Sequence, residues 1–108
     1  MDNSKNIKTQ LIGYLQKVKA QIPISRVYLV GSWVKGEAHE GSDVDLLVLS
    51  KAFEKMDTDE RLKVLYRNTV GIDFDLHIHA VTPSEYKAAS KLNSLGMMKA
   101  EKKLLLKI

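Results

Sequence analysis

The sequence predicts a small α/β (α+β) domain: a mixed sheet of three or more strands with helices on one face. Three observations carry that expectation. Apolar residues recur at helical spacing through residues 5–22. Two later segments, 43–50 and 72–81, switch to strand-type alternation. Prolines and glycines stand at the points where one period gives way to the other. A chain of 108 residues suits one domain, taken as 1–108.

The elements follow in order. Ile7, Leu11, Leu15, Val18 and Ile22 fall on one helical face, and Pro23 closes that helix because the residue before a proline avoids helical backbone. Arg26–Val30 is β-rich and runs into Gly31, which reads as a short buried strand. Residues 31–42 contain three of the six glycines and form a turn-rich connector. In Asp43–Ser50 the first half alternates acid and apolar and the second half is continuously apolar, so the strand starts exposed and ends buried. Asp57 followed by Glu60 resembles a helix cap, with Leu62, Leu65, Tyr66 and Thr69 on the face behind it and Gly71 at its end. Residues 72–81 place Ile72, Phe74, Leu76, Ile78 and Ala80 on one face and Asp73, Asp75, His77 and His79 on the other. Pro83 starts a helix capped by Thr82 or Ser84, with Tyr86, Ala89, Leu92 and Leu95 on one side until Gly96. Met97–Ile108, with Leu104, Leu105 and Ile108, reads as a further helical segment. The expected order is therefore α-β-β-α-β-α-α.

Composition narrows the function. The net charge is +4, but residues 1–83 hold eleven basic and eleven acidic residues, and the whole excess lies in residues 84–108. Lys99, Lys102, Lys103 and Lys107 are expected on the wet side of the last helix. With no basic stripe interleaved with aromatics, nucleic acid ranks last as a partner. The absence of cysteine excludes disulfides, thiolate metal sites and cysteine nucleophiles. No apolar run approaches the roughly 18 residues of a membrane span, so no membrane partner and a cytoplasmic setting are expected.

The chemistry concentrates in Gly31-Ser32 and, ten residues on, Asp43-Val44-Asp45. A glycine at a strand end permits positive φ and close approach to the backbone. The Ser32 hydroxyl and neighbouring amides could then line a cradle for phosphate, with Lys35 as a charge partner and Gly36 allowing a second turn. Asp43 and Asp45 project from one strand face, roughly 6–7 Å apart along the chain. Carboxylates that close repel unless a cation lies between them, and oxygen ligands suit Mg²⁺ or Mn²⁺. The next strand offers a third acid, Asp73 or Asp75. His77 and His79 read as polar positions on an open sheet face rather than as a metal-ligand pair, with His77 near an acceptor. Trp33 reads as a loop anchor or partner contact, and Met97 and Met98 as packing residues.

The stretch from Gly31 to Val48, with Gly31-Ser32, Gly36 and Ser42-Asp43-Val44-Asp45 at fixed spacing, resembles the signature of the DNA polymerase β-like nucleotidyltransferase superfamily, and within it the minimal nucleotidyltransferases. The resemblance spans roughly residues 26–83. It departs at Lys35, where arginine is frequent; lysine keeps the charge without bidentate geometry.

That resemblance implies the palm fold of the superfamily. It implies a nucleotide site of Gly31, Ser32, Lys35, Gly36 and Ser42, and metal-binding catalytic acids Asp43, Asp45 and Asp75. Asp75 is chosen over Asp73 because it precedes the apolar strand that ends just before Thr82-Pro83, as the family's third acid does. The implied activity is Mg²⁺-dependent (or Mn²⁺-dependent) transfer of a nucleoside monophosphate, AMP from ATP, to an acceptor hydroxyl on a partner protein. The alternative is an antitoxin-like module that neutralises a helical HEPN-type ribonuclease partner, with or without catalysis. The acceptor, the base preference and any homo-oligomer stay open at this point.

Overall fold

The computed structural model describes residues 3–31, 43–89 and 102–107. Helix α1 (Asn3–Gln21) leads into β1 (Arg26–Val30). Strand β2 (Val44–Leu49) is followed by a single 3-10 turn at Lys51–Lys55 and by α2 (Thr58–Tyr66). Strand β3 (Leu76–Val81), α3 (Pro83–Ala88) and β4 (Lys102–Lys107) complete the described elements. The four strands form one mixed sheet in the order β3-β2-β1-β4. β1 runs antiparallel to both β2 and β4, and β2 runs parallel to β3.

One face of the sheet carries the main core. Val27, Val44, Leu46, Val48 and Ile78 meet Leu11, Tyr14, Leu15 and Val18 of α1, Leu65 of α2 and Phe53 of the 3-10 turn. Each fully buried side chain of this size contributes about 1.5–3 kcal/mol, so the seam between α1 and the sheet dominates stability. The Tyr14 hydroxyl donates to the Leu65 carbonyl at 2.7 Å, joining the two helices inside the core. Burial pushes its phenol pKa up, away from any role in acid–base chemistry near neutrality. The side-chain oxygen Oε1 of Gln21 accepts from Arg67 and Asn68 and ties the ends of α1 and α2 together.

The opposite face holds a smaller cluster, Tyr28, Val30, Leu47 and Leu49, against which Val81 and Tyr86 pack. The rings of Tyr28 and Tyr86 stack at 5.7 Å with 10° between their planes. α1 and α2 thus lie on one face as expected, while α3 lends Tyr86 to the other.

The outer edge of β3 is closed by α2. The Ile78 N–H donates to the Tyr66 hydroxyl at 3.0 Å, and Arg61 donates to the Ala80 carbonyl at 3.3 Å. Both groups would otherwise be an open ladder for another strand. Arg61 also donates to the Phe53 carbonyl at 3.0 Å and meets Glu85 at 2.7 Å, so it binds the 3-10 turn, the sheet edge and α3 at once.

The helix N-termini agree with their signals, whereas α2, expected to run to Gly71, ends at Tyr66. Asp57 and Glu60 form a reciprocal capping box on α2. Of the two candidate caps for α3, Thr82 is used, again in a box with Glu85. Glu85 therefore accepts from the Thr82 backbone N–H, and this bond holds its carboxyl below the ordinary range, with burial acting against it and Arg61 helping. A depressed carboxylate stabilises the fold above its unfolded pKa, about 4.3, and that contribution is lost as pH falls through the lower folded value. The denaturation midpoint of Glu85→Gln should accordingly lie below that of the native chain at neutral pH. The gap should close below about pH 4. Since Glu85 is half-exposed, solvent screening keeps the gap modest.

Three expectations are corrected. The segment 102–107 is a strand paired with β1, not a helix. Lys-Lys-Leu-Leu-Leu-Lys is a short apolar run that periodicity cannot assign, and β1 has a hydrogen-bonding edge that a strand satisfies and a helix does not. Strand β3 begins at Leu76 rather than at residue 72. Helix α3 ends at Ala88, with Ala89 already extended; Leu92, Leu95, Gly96, Met97, Met98 and Lys99 lie outside the described residues. The 3-10 turn was not expected. It is started by buried Ser50, whose hydroxyl accepts from the Ala52 N–H and donates to the Pro23 carbonyl.

Candidate active site

The site sits where β1 ends and β2 and β3 begin. Antiparallel pairing puts Val30, the last residue of β1, opposite Asp45, so the chain leaves β1 beside that carboxylate. Gly31 makes the exit. Its φ is +78°, a left-handed conformation that L side chains rarely adopt. A Cβ at Gly31 would stand 2.5 Å from Oδ2 of Asp45. Both properties read from a strand-ending glycine, positive φ and close approach, are therefore used here, and the approaching group is the second aspartate of the motif itself.

Parallel pairing of β2 with β3 supplies the other wall. Asp45 is aligned with His77, and Leu47 with His79. One step earlier, the Val44 N–H donates to the Asp75 carbonyl at 2.9 Å, which fixes the backbone of Asp75 against the start of β2. Asp43 and Asp75 each stand one residue ahead of the paired residues Val44 and Leu76, and both are exposed. Strand alternation then puts Asp43 with Asp45, and Asp75 with His77 and His79, on the face that is not packed against α1. The candidate acids Asp43, Asp45 and Asp75 are thus carried by adjacent strand starts.

Asp73 is bonded to α1. Its carboxylate accepts from Nε2 of Gln10 at 2.8 Å, and its backbone N–H donates to Oε1 of the same side chain at 3.2 Å. It ties the approach to β3 onto α1.

Asp45 is the most enclosed of the candidate acids, with its side chain 24% exposed. Its Oδ1 lies 3.2 Å from Nδ1 of His77 and 3.9 Å from Nε2 of His79. The two imidazoles lie with their centroids 4.6 Å apart. Burial and the neighbouring His77 lower the His79 pKa, with Asp45 acting against them. The sequence reading left both histidines as polar positions on an open face. The alternation had already put them with the acids; only the register with β2 shows that they reach Asp45. Of the remaining candidates, Ser32, Lys35, Gly36 and Ser42, together with Trp33, lie outside the described residues.

A family model described as nucleotidyltransferase domain matches residues 11–106. The chain belongs to the nucleotidyltransferase domain family. The match takes in β1, β2 and β3 and reaches residue 106, within β4.

Solved structures agree on the fold. A candidate nucleotidyltransferase from Sulfolobus solfataricus superposes with a TM-score of 0.72 at 19% identity, over 94% of this chain and 81% of that one. A toxin–antitoxin complex with AMP-PNP gives 0.62 at 24% identity, over 94% and 73%. A complex of tri-AMPylated Shewanella oneidensis HEPN toxin with its MNT antitoxin gives 0.57 at 21% identity, over 96% and 72%. The expected resemblance to minimal nucleotidyltransferases therefore holds for the fold. No curated protein matches the sequence. Among the described residues no helix is long and apolar enough to cross a membrane.

Proposed function

We propose that this nucleotidyltransferase domain, taken as residues 1–108, transfers AMP from ATP to a hydroxyl on a partner protein, with Mg²⁺ or Mn²⁺ as the divalent ion of the reaction. The observation that carries the reading is that Gly31, Asp43, Asp45 and Asp75 stand at one end of the sheet, where a Cβ on Gly31 would crowd the Asp45 carboxylate. These carboxylates fit a hard divalent ion, for an all-oxygen set of exposed and half-exposed acids is what such ions take. When bound, the ion neutralises charge on the triphosphate and on the departing pyrophosphate.

The chain's own residues do the rest. In this reading Gly31 and Ser32 meet the phosphates, Lys35 supplies a positive charge, and Gly36 and Ser42 complete the nucleotide-binding set. Asp43 and Asp45 would hold the ion, whose charge offsets their repulsion of the triphosphate. Asp75, across the strand pair, accepts the proton of the acceptor hydroxyl. The acceptor oxygen then bonds to the α-phosphorus as the bond to the β-phosphate oxygen breaks, and pyrophosphate leaves.

A protein acceptor is favoured by the solved neighbours, two of which are toxin–antitoxin complexes, one with an AMPylated HEPN toxin. By that analogy the partner here is a helical HEPN-type ribonuclease in the cytoplasm. The same analogy supports a second reading, in which the chain neutralises the partner by binding alone.

The test is ATP labelled at the α-phosphate, Mg²⁺, and the protein encoded beside this chain. Label should pass to that protein with the native chain, and fall at least tenfold with Asp43→Asn. Equal labelling by both would overturn catalysis. A tight complex without labelling, in which the ribonuclease is silenced, would leave the binding reading standing alone.

A further inference from the structure

The all-oxygen description of the site omits its most enclosed corner. Asp45 shares that corner with two imidazoles, brought there by two independent constraints. Period-2 alternation places His77 and His79 on one face of β3, and the parallel register sets His77 beside Asp45. One ligand atom from each of the three residues lies within 4.8 Å of the other two. Around an ion with bonds of about 2.1 Å, neighbouring ligand atoms stand about 3–3.5 Å apart. The Asp45–His77 separation of 3.2 Å already has that value. The Asp45–His79 separation of 3.9 Å stands slightly above it.

We propose that Asp45, His77 and His79 form a two-nitrogen, one-oxygen site that binds a first-row transition ion, of the Mn²⁺ to Zn²⁺ series, in preference to Mg²⁺. Imidazole nitrogen suits these ions, and Mg²⁺ favours carboxylate, phosphate and water oxygen. Two histidines and one carboxylate leave several coordination positions open, which is what a substrate-facing ion requires. The inference rests on the reading of Asp45 as a metal-binding acid and names the ion that acid selects.

The alternative is that His77 is only hydrogen-bonded to Asp45 and orients it. Equilibrium dialysis of the full chain against Co²⁺ alone, without nucleotide, separates the two. One Co²⁺ per chain should bind, with a visible ligand-field spectrum, and should persist in a hundredfold excess of Mg²⁺. His77→Asn and His79→Gln should each weaken Co²⁺ at least tenfold. The side chain of His77 is 61% exposed, so its replacement leaves the fold intact even if the His79 variant does not. Affinity for Co²⁺ within threefold of that for Mg²⁺, or unchanged in the His77 variant, would overturn the proposal. Tight, histidine-dependent Co²⁺ binding by a chain that transfers no nucleotide would sink the transfer reading and uphold this one. Transfer with Mg²⁺ and no preference for Co²⁺ would do the reverse.

Discussion

Asp45→Asn should reduce nucleotidyl transfer by on the order of 10²–10³-fold, the cost of removing one preorganised electrostatic partner of a reacting centre, while leaving the melting temperature unchanged or slightly raised. Asn preserves the size of the side chain and one oxygen beside Gly31, so the close contact at the end of β1 survives. What disappears is a negative charge. Asp45 is only 24% exposed, and a charge in that setting acts on its neighbours more strongly than one in open water. Asp43, fully at the surface, has less leverage, and its substitution should cost less than that of Asp45. The stability side has the opposite sign. Carboxylates on adjacent strand starts repel one another when no cation is bound, and neutralising one relieves that repulsion. A site that destabilises the empty protein and gains from its ligand is a common compromise of function with stability. Initial rates with labelled ATP and a thermal melt of the same preparations decide it. More than a tenth of the native rate in the variant would remove Asp45 from the catalytic set.

The local signals were legible because each is carried by neighbouring residues. The Asp57–Glu60 box, the helical face from Ile7 to Val18, and the limits of β1 and β2 all depend on chemistry within a few positions. So did the placement of Asp43 and Asp45 on one face. What could not be read depends on partners distant in sequence. Asp73 and Asp75 look equivalent by alternation, and only Gln10, 63 residues away, draws Asp73 to α1. The histidines reach Asp45 only through the β2–β3 register, which no local pattern encodes. The run at 102–107 became a strand because β1 had a free edge to offer, a fact about the sheet rather than about the run. Tertiary context overrides propensity most easily in short apolar segments of this kind.

Gly31→Ala and Gly71→Ala form a matched pair that separates backbone strain from site geometry. Both glycines have positive φ, +78° and +92°, so alanine at either position should cost about 1–2 kcal/mol for left-handed backbone. Around Gly71 a Cβ would meet nothing within 4 Å. Its variant should therefore lose that amount in denaturant unfolding and retain its nucleotidyl transfer. At Gly31 the added carbon meets Oδ2 at 2.5 Å and Cγ of Asp45 at 3.3 Å. Relief requires Asp45 to swing or the end of β1 to shift. A shift of β1 is opposed by Val30, buried and held in register with Asp45, so the carboxylate is the group that moves. A carboxylate displaced by even 1 Å no longer lies where the reacting groups need it, and misplacement on that scale costs about 100-fold in rate. Gly31→Ala should accordingly lose more stability than Gly71→Ala and nearly all transfer activity. Equal loss of stability in the two variants, with activity kept in both, would mean that the contact between Gly31 and Asp45 has no part in the site. In that case the glycine serves only the turn. A large loss confined to Gly31→Ala would instead tie the first residue of the motif to its last through one physical contact.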